Sequence, residues 1–274
     1  MRINGEVCIS IHPTAIIDSS ASVDPDAVIG PYCVIGPNVV LKKNVKLISH
    51  VCVNGITEIG EGTEIYPFAS IGHKPQDLKY HGESSRLVIG KNNSIREYVT
   101  IHPGTETGRM ETTIGDNCLF MAYVHVAHDC VVGNNIVFAN SATLAGHVVV
   151  GDNAVLGGLS AVHQWVRIGK YSMIGGMSGV ERDVIPYATV EGNRATIRGL
   201  NVLGLKRKGA SFSEISKLKE ILAALFDKNN TLNENIRSIK NMALEYETER
   251  DVLEFVMAET NRSYCIPYEQ VAQC

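Results

Sequence analysis

An apolar side chain returns at every sixth residue through most of this 274-residue chain. The phase runs without a miss through Ile11, Ile17, Val23, Ile29, Ile35, Leu41, Leu47, Val53, Ile59, Ile65 and Ile71. It returns at Ile89, Ile95 and Ile101. It then holds from Ile114 through Phe120, Val126, Val132, Phe138, Leu144, Val150, Leu156, Val162, Ile168 and Ile174 to Val180. A period of six fits neither the 3.6-residue turn of a helix nor simple two-residue alternation. It predicts a mainly β fold, a parallel β-helix in which three short faces of six residues close one coil. Twenty-six in-phase positions make between eight and nine coils. At about 4.8 Å per strand the prism is roughly 40 Å long. The residue two before each inward position is usually small, as at Ala15, Ala21, Ala27, Cys33, Cys118, Cys130 and Ala154. Glycine often follows it, as at Gly30, Gly36, Gly60, Gly90, Gly115, Gly133, Gly151 and Gly157, where it is expected to supply turn conformations closed to other residues. Handedness does not follow from the period, since parallel crossovers are normally right-handed.

The repeat is interrupted at 73–86 and 103–113. A solenoid accommodates such insertions as loops leaving one corner, where they shape a binding face. The expected organisation is a β-helix over residues 1–190 with those two loops, then a linker and an α-helical region over 191–274. Ser211 and Glu214 have capping-box spacing, and Ile215, Leu218, Leu222 and Leu225 form a helical stripe. A second helix is expected from Thr231 toward Tyr246 and a third over about Glu247–Glu259. These helices would cover the open end of the β-helix.

Composition narrows the functional classes. A net charge of −4 gives no general case for nucleic acid. No apolar run approaches the roughly 18 residues that read as an integral membrane segment. The opening MRINGEVCIS lacks the basic and apolar regions of a signal peptide. Seven cysteines without a CxxC pair, three of them in the small corner slot, read as packing residues in a reducing cytoplasm. Between Arg194 and Lys240 ten Lys/Arg face four acids. That segment is either a solvated helical face or a docking surface for something acidic.

His102, His125, His128, His147 and His163 are the informative histidines. With 18 residues per coil, His128, His147 and His163 fall near one longitudinal edge, together with Asp129 and Gln164, and His125 is a looser match. A lone histidine in a turn is usually structural, but several on one edge indicate proton transfer near neutral pH. Asp129 would orient a neighbouring imidazole, and Gly146 would offer a backbone N–H to an oxyanion. A zinc site is the competing interpretation. It ranks second because His125-x2-His128 lacks further ligands at recognisable spacing.

The strings His125-Val-Ala-His128-Asp129-Cys130, Leu144-Ala-Gly146-His147 and Ala161-Val-His163-Gln164 resemble the UDP-N-acetylglucosamine O-acyltransferase family of the hexapeptide-repeat acyltransferases. Gln76-Asp77-Leu78-Lys79-Tyr80, Thr100-Ile101-His102, Gly192-Asn193 and the run Gly204–Gly209 extend the match over about residues 8–225. The resemblance implies a left-handed β-helix, a homotrimer with sites between subunits, and no cofactor or metal. It implies transfer of a 3-hydroxyacyl chain from acyl carrier protein to the sugar 3-hydroxyl of UDP-N-acetylglucosamine, the first step of lipid A assembly. By residue matching, His128 is the general base, Asp129 its supporting carboxylate and Gly146 the oxyanion donor. Gln76, Asp77, Lys79, His102, His125, His147, His163, Gln164, Asn201, Arg207 and Lys208 are matched to substrate binding, and Gly176 to acyl-chain length. Leu203 departs from the acid that the family carries there, and Lys206–Lys208 also reads as a solubilising turn. The alternatives are a related hexapeptide enzyme, either an N-acyltransferase on a nucleotide sugar or a zinc-dependent carbonic anhydrase-like protein, and a non-catalytic scaffold. Whether the acceptor is a 3-hydroxyl or a 3-amino sugar is open at this point.

Overall fold

Three parallel sheets form the faces of a left-handed prism. The structure is a computed structural model and describes residues 2–3, 6–7 and 11–271. The first sheet has nine strands, from Ile16–Ile17 to Gly179–Val180. The second has eight, from Ser22–Val23 to Arg167–Ile168. The third begins at Val28–Ile29 and ends in an antiparallel hairpin of Ala188–Glu191 with Thr196–Leu200. Each strand pairs with its equivalent one coil later, as Val34 with Cys52 and Ile35 with Val53. The in-phase side chains therefore stack inward, and from Ile29 onward they are almost wholly buried. Ala27, Cys33, Cys130 and Ala154 fill the slots beneath them without exposure.

The glycines after the inward residue act differently from the sequence expectation. Only Gly72 among them has a positive φ. What the position lacks is room. A Cβ on Gly30 would sit 1.8 Å from the Ile48 carbonyl oxygen, and one on Gly60 2.5 Å from the Gly90 carbonyl. The left-handed conformation instead falls three residues after the inward position, on non-glycine residues such as Asn44, Tyr98, His147 and Trp165, with φ between 52° and 66°. Hydrogen bonds between coils hold these corners. The His147 N–H donates to the His128 carbonyl at 3.0 Å, and the Trp165 N–H to that of Gly146 at 3.2 Å.

Each corner consequently carries one column of side chains. Asn44, Asn92, Asn117, Asn135 and Asn153 mark the corner from the second to the third sheet, where Asn suits the αL conformation. Tyr32, His50, Phe68, Tyr98 and Tyr123 mark the next, their ring centroids 4.8–5.2 Å apart. Asp129, His147 and Trp165 mark the corner from the first to the second sheet. Both insertions leave from this third corner, between Ser70–Ile71 and Arg86–Ile89 and between Thr100–Ile101 and Glu111–Ile114.

The chain past residue 190 is more ordered than a linker. After the hairpin come α1 (Val202–Lys208), α2 (Phe212–Leu225), α3 (Leu232–Lys240), α4 (Glu247–Met257) and α5 (Tyr268–Val271). Helix α1 lies in the stretch expected to be irregular, opened by the Asn201 side chain and closed by Gly209 in the left-handed conformation. Ser211 caps α2, but Glu214 does not complete a capping box, because its carboxylate accepts from Thr248 at 2.8 Å. Helix α3 stops at Lys240 rather than running toward Tyr246, which instead caps α4. The helices dock on the last coils. The Tyr187 hydroxyl donates to Asp251, Lys170 pairs with Asp251 at 2.5 Å, and the Arg167 guanidinium donates to the Phe255 carbonyl at 3.3 Å.

Candidate active site

The corner from the first to the second sheet brings the chemistry together. Asp129 is 1% exposed, and its carboxylate accepts four hydrogen bonds. These come from the His128 Nδ1–H (2.8 Å), the Thr105 N–H (3.1 Å), the Thr105 hydroxyl (2.6 Å) and the Arg109 N–H (2.6 Å). The last three come from the second loop, folded so tightly that a Cβ on Gly108 would lie 2.3 Å from Asp129 Cγ. Burial opposes the charge on Asp129, but the hydrogen bonds outweigh it and hold the pKa at about 2. Asp129 is therefore an acceptor only, which makes Nδ1 of His128 a donor and leaves its lone pair on Nε2. The nearest acid to Nε2 is Asp77 of the first loop, 3.8 Å away and beyond hydrogen-bond reach. Gly146 packs directly on the His128 ring, and among the described residues its N–H has no hydrogen-bond partner.

Burial disfavours the charged form of the three neighbouring histidines, His102, His125 and His147. Burial pushes His102 down to about 4, helped by His125, His128 and His73. Burial and then His128 lower His125, whose Nδ1 lies 2.6 Å from the Thr100 hydroxyl. The two rings meet edge to face at 5.1 Å. His147 meets His128 edge to face at 4.9 Å and stacks on Trp165 at 3.7 Å. Burial lowers its pKa against the pull of Asp129, and its Nδ1 has no hydrogen-bond partner among the described residues.

Of the residues singled out from sequence, His102, His125, His128, Asp129, Gly146 and His147 lie together, with Asp77 above them. The Gln76 N–H reaches His102 Nδ1 at 3.4 Å, and the exposed Lys79 donates its own N–H to Asp77 at 3.0 Å. The columns differ in detail from the expected one. Residues 18 apart are Asp129, His147 and Trp165, and likewise His128, Gly146 and Gln164. His163 and Gln164 are exposed and bound by Arg262 from the C-terminal segment. Asn201, Arg207, Lys208 and Gly176 are not brought to His128 within one chain. The Asn201 amide donates to the Tyr171 carbonyl at 2.8 Å and accepts from the Gly204 N–H at 2.9 Å, while Lys208 faces Glu247 at 3.7 Å.

Sequence reasoning missed Thr105, the Arg109 N–H, Trp165 and Arg262. Only Trp165 had a signal, lying 18 residues after His147. His128, Asp129 and His147 also offer ligand atoms within 4.8 Å of one another. A cation there would displace the donors that already saturate Asp129, so the set is better matched to proton transfer.

Comparison with known proteins identifies the family. A model of UDP N-acetylglucosamine O-acyltransferase domain 2 matches residues 183–265, and the bacterial transferase hexapeptide model matches 9–43 and 111–146. The acyl-[acyl-carrier-protein]--UDP-N-acetylglucosamine O-acyltransferase of Mesorhizobium japonicum is 52% identical, over 94% of this chain and 92% of the relative. That of Caulobacter vibrioides is 49% identical, over 96% and 100%. The solved UDP-N-acetylglucosamine acyltransferase of Francisella novicida superposes with a TM-score of 0.92 at 38% identity, over 96% of each chain. With identity near one half across almost the whole length, and the histidine corner in place, the chain belongs to the acyl-[acyl-carrier-protein]--UDP-N-acetylglucosamine O-acyltransferase family.

Proposed function

We propose that this acyltransferase moves a 3-hydroxyacyl chain from acyl carrier protein to the 3-hydroxyl of UDP-N-acetylglucosamine, with His128 as general base and no covalent intermediate. The observation that carries this reading is the buried His128–Asp129 pair, whose only open nitrogen is Nε2. That nitrogen takes the hydroxyl proton as the sugar oxygen attacks the thioester carbon. The Gly146 N–H donates to the developing oxyanion. As the C–S bond breaks, the proton passes from His128 to the departing sulfur. Asp129 keeps the ring in the productive tautomer and stabilises the imidazolium between the two transfers.

The proposed site is shared between subunits of a homotrimer. The supporting observation is that Asn201, Arg207, Lys208 and Gly176 lie away from His128 in one chain, so a neighbouring copy would supply them. Basic residues on the helical region are the proposed landing site of the acidic carrier, with Lys206, Arg207, Lys219 and Lys240 exposed. Among the described residues the free thiols of Cys33, Cys52, Cys118, Cys130 and Cys265 suit a reducing cytoplasm. Among the described residues no helix is long and apolar enough to cross a membrane. The test is mass spectrometry of products after incubation with both the 3-hydroxyl and 3-amino sugars and a panel of acyl carrier proteins. Acylation of the 3-hydroxyl sugar by the wild type, lost in a folded His128→Ala variant, is expected. Equal turnover by the variant refutes the assignment of the base.

A further inference from the structure

Arg262 approaches His163 from the far end of the chain. Its Nη2 lies 2.8 Å from His163 Nδ1 and 2.7 Å from the Gln164 carbonyl oxygen, one hydrogen for each. Arginine has donors and no acceptor. The His163 nitrogen facing it must therefore present a lone pair, and the ring's proton must sit on Nε2. The 3.3 Å approach of Nδ1 to the Gln164 carbonyl would favour the opposite tautomer, but that oxygen already accepts the shorter bond from Arg262. Among the described residues Nε2 itself has no partner, and the ring is exposed.

The guanidinium is held in place. Asp183 is fully buried, and its carboxylate accepts from the Arg167 side chain at 2.7 Å and the Thr260 hydroxyl at 2.8 Å. The Asp183 N–H donates to the Ser263 carbonyl at 2.9 Å, and the Cys265 N–H to the Asp183 carbonyl at 2.8 Å. The Arg262 N–H closes the turn on the Thr260 hydroxyl at 3.0 Å. Residues on both sides of Arg262 are thus pinned to the last coil, one strand above His163.

We propose that Arg262 is a positioning residue that fixes His163 as the Nε2–H tautomer, so that His163 binds an oxygen acceptor of the substrate as a hydrogen-bond donor. The acceptor is either a diphosphate oxygen of the nucleotide sugar or the carbonyl oxygen of the acyl donor. This role rests on the acyl transfer proposed above. His128 and His163 then work in opposite senses, the first with its free nitrogen accepting a proton and the second with its free nitrogen donating a hydrogen bond. The Asp129 carboxylate orients the first ring and the Arg262 guanidinium the second.

The test uses the full-length protein with 15N-labelled histidine, the His163 signals being identified by their loss in His163→Gln. Two-bond proton–nitrogen spectra of the wild type are expected to show the proton on Nε2. In Arg262→Met the signals should move toward a mixture of tautomers, and Arg262→Lys, which keeps a donor, should restore them. Steady-state kinetics of Arg262→Met should show kcat/KM about tenfold lower through a raised KM, largely recovered in Arg262→Lys. A raised KM for the nucleotide sugar identifies the diphosphate as acceptor, and a raised KM for the acyl carrier protein identifies the carbonyl. A wild-type proton on Nδ1, or an Arg262→Met enzyme with both KM values unchanged, overturns the proposal. Absence of any sugar acylation by the wild type would overturn the reaction instead, leaving the tautomer result to stand by itself.

Discussion

Adding a single methyl group at Gly146 tests the catalytic geometry while keeping the N–H proposed to meet the oxyanion. A Cβ there would lie 2.5 Å from Cε1 of His128, 2.7 Å from Nε2 and 3.1 Å from Nδ1. Ordinary contacts begin near 3.4 Å, so the ring must retreat by about 1 Å. Its Nδ1 is anchored to Asp129 at 2.8 Å, and that carboxylate is fixed by three loop donors. The retreat therefore swings Nε2 away from the acceptor hydroxyl or breaks the anchor. A misplacement of that size lowers the rate by on the order of 10²-fold, which is about 2.7 kcal/mol of barrier. Gly146→Ala should fold normally, since the methyl meets a side chain rather than the stacked backbone. The assay is kcat/KM for acylation of the nucleotide sugar, beside circular dichroism and gel filtration. The double variant Gly146→Ala/His128→Ala should be no slower than His128→Ala alone, because both changes act through one imidazole. Activity of Gly146→Ala within threefold of wild type, or full additivity in the double variant, would refute the reasoning.

Other outcomes follow from the same geometry. His128→Ala should lose on the order of 10²–10⁴ in rate. Thr105→Val removes the 2.6 Å hydroxyl bond to Asp129 and should cost roughly tenfold in kcat with little change in KM, checked by the same kinetics. Stability should fall on mild acidification, because His102 titrates near 6.5 in the unfolded chain but at about 4 when folded. A lowered folded pKa means that the unfolded state takes up the proton first. The stabilisation is complete above pH 6.5 and declines toward pH 4, by about 3 kcal/mol for this group, and His125 shifts in the same direction. Urea denaturation at pH 7 and pH 4.5 measures it, and equal stabilities would contradict it. Gly176→Met should shorten the preferred acyl chain, since Gly176 is exposed and a Cβ there meets only the Gly158 backbone, its oxygen at 3.3 Å and its nitrogen at 3.9 Å. An unchanged optimum across a chain-length panel would refute this. Gly30→Ala should lower Tm, because its Cβ has no space beneath Ile48.

The period of six made the three faces and the inward side chains legible, because one inward residue per face is what a stacked coil requires. The purpose of the glycines was not legible. Their position is set by the backbone of the next coil, a contact that sequence spacing does not reveal. The corner holding His128 was found from the spacing of the histidines, although the insertions had displaced the register, so that Ile101 pairs with Val126 rather than with a residue 18 further on. Thr105 and Arg109 stayed hidden because they act on Asp129 from an irregular loop and largely through backbone N–H groups, which every residue type except proline possesses. Arg262 is 99 residues from His163, and only the folded helical region makes them neighbours. Helix α1 was marked by Asn201 and Gly209, cap residues at the right separation, but its seven residues are too few for a clear apolar stripe.

Stacking of the coils has a consequence for how such a site can change. Each coil adds one strand spacing and restores the orientation of all three corners, so distance along the prism is counted in whole steps. A whole-coil insertion between His147 and His163 would leave every face in phase and carry the Arg262 clamp upward with its ring. The reach between the proton-accepting and hydrogen-donating ends of the site would lengthen by one step of about 4.8 Å. An insertion of one residue more or fewer must instead be taken up by a loop at a corner, as the one after Ile101 is, for the later side chains to stay inward. Substrates of different length can therefore be matched along the prism only in discrete increments, and finer adjustment falls to single side chains on the corners.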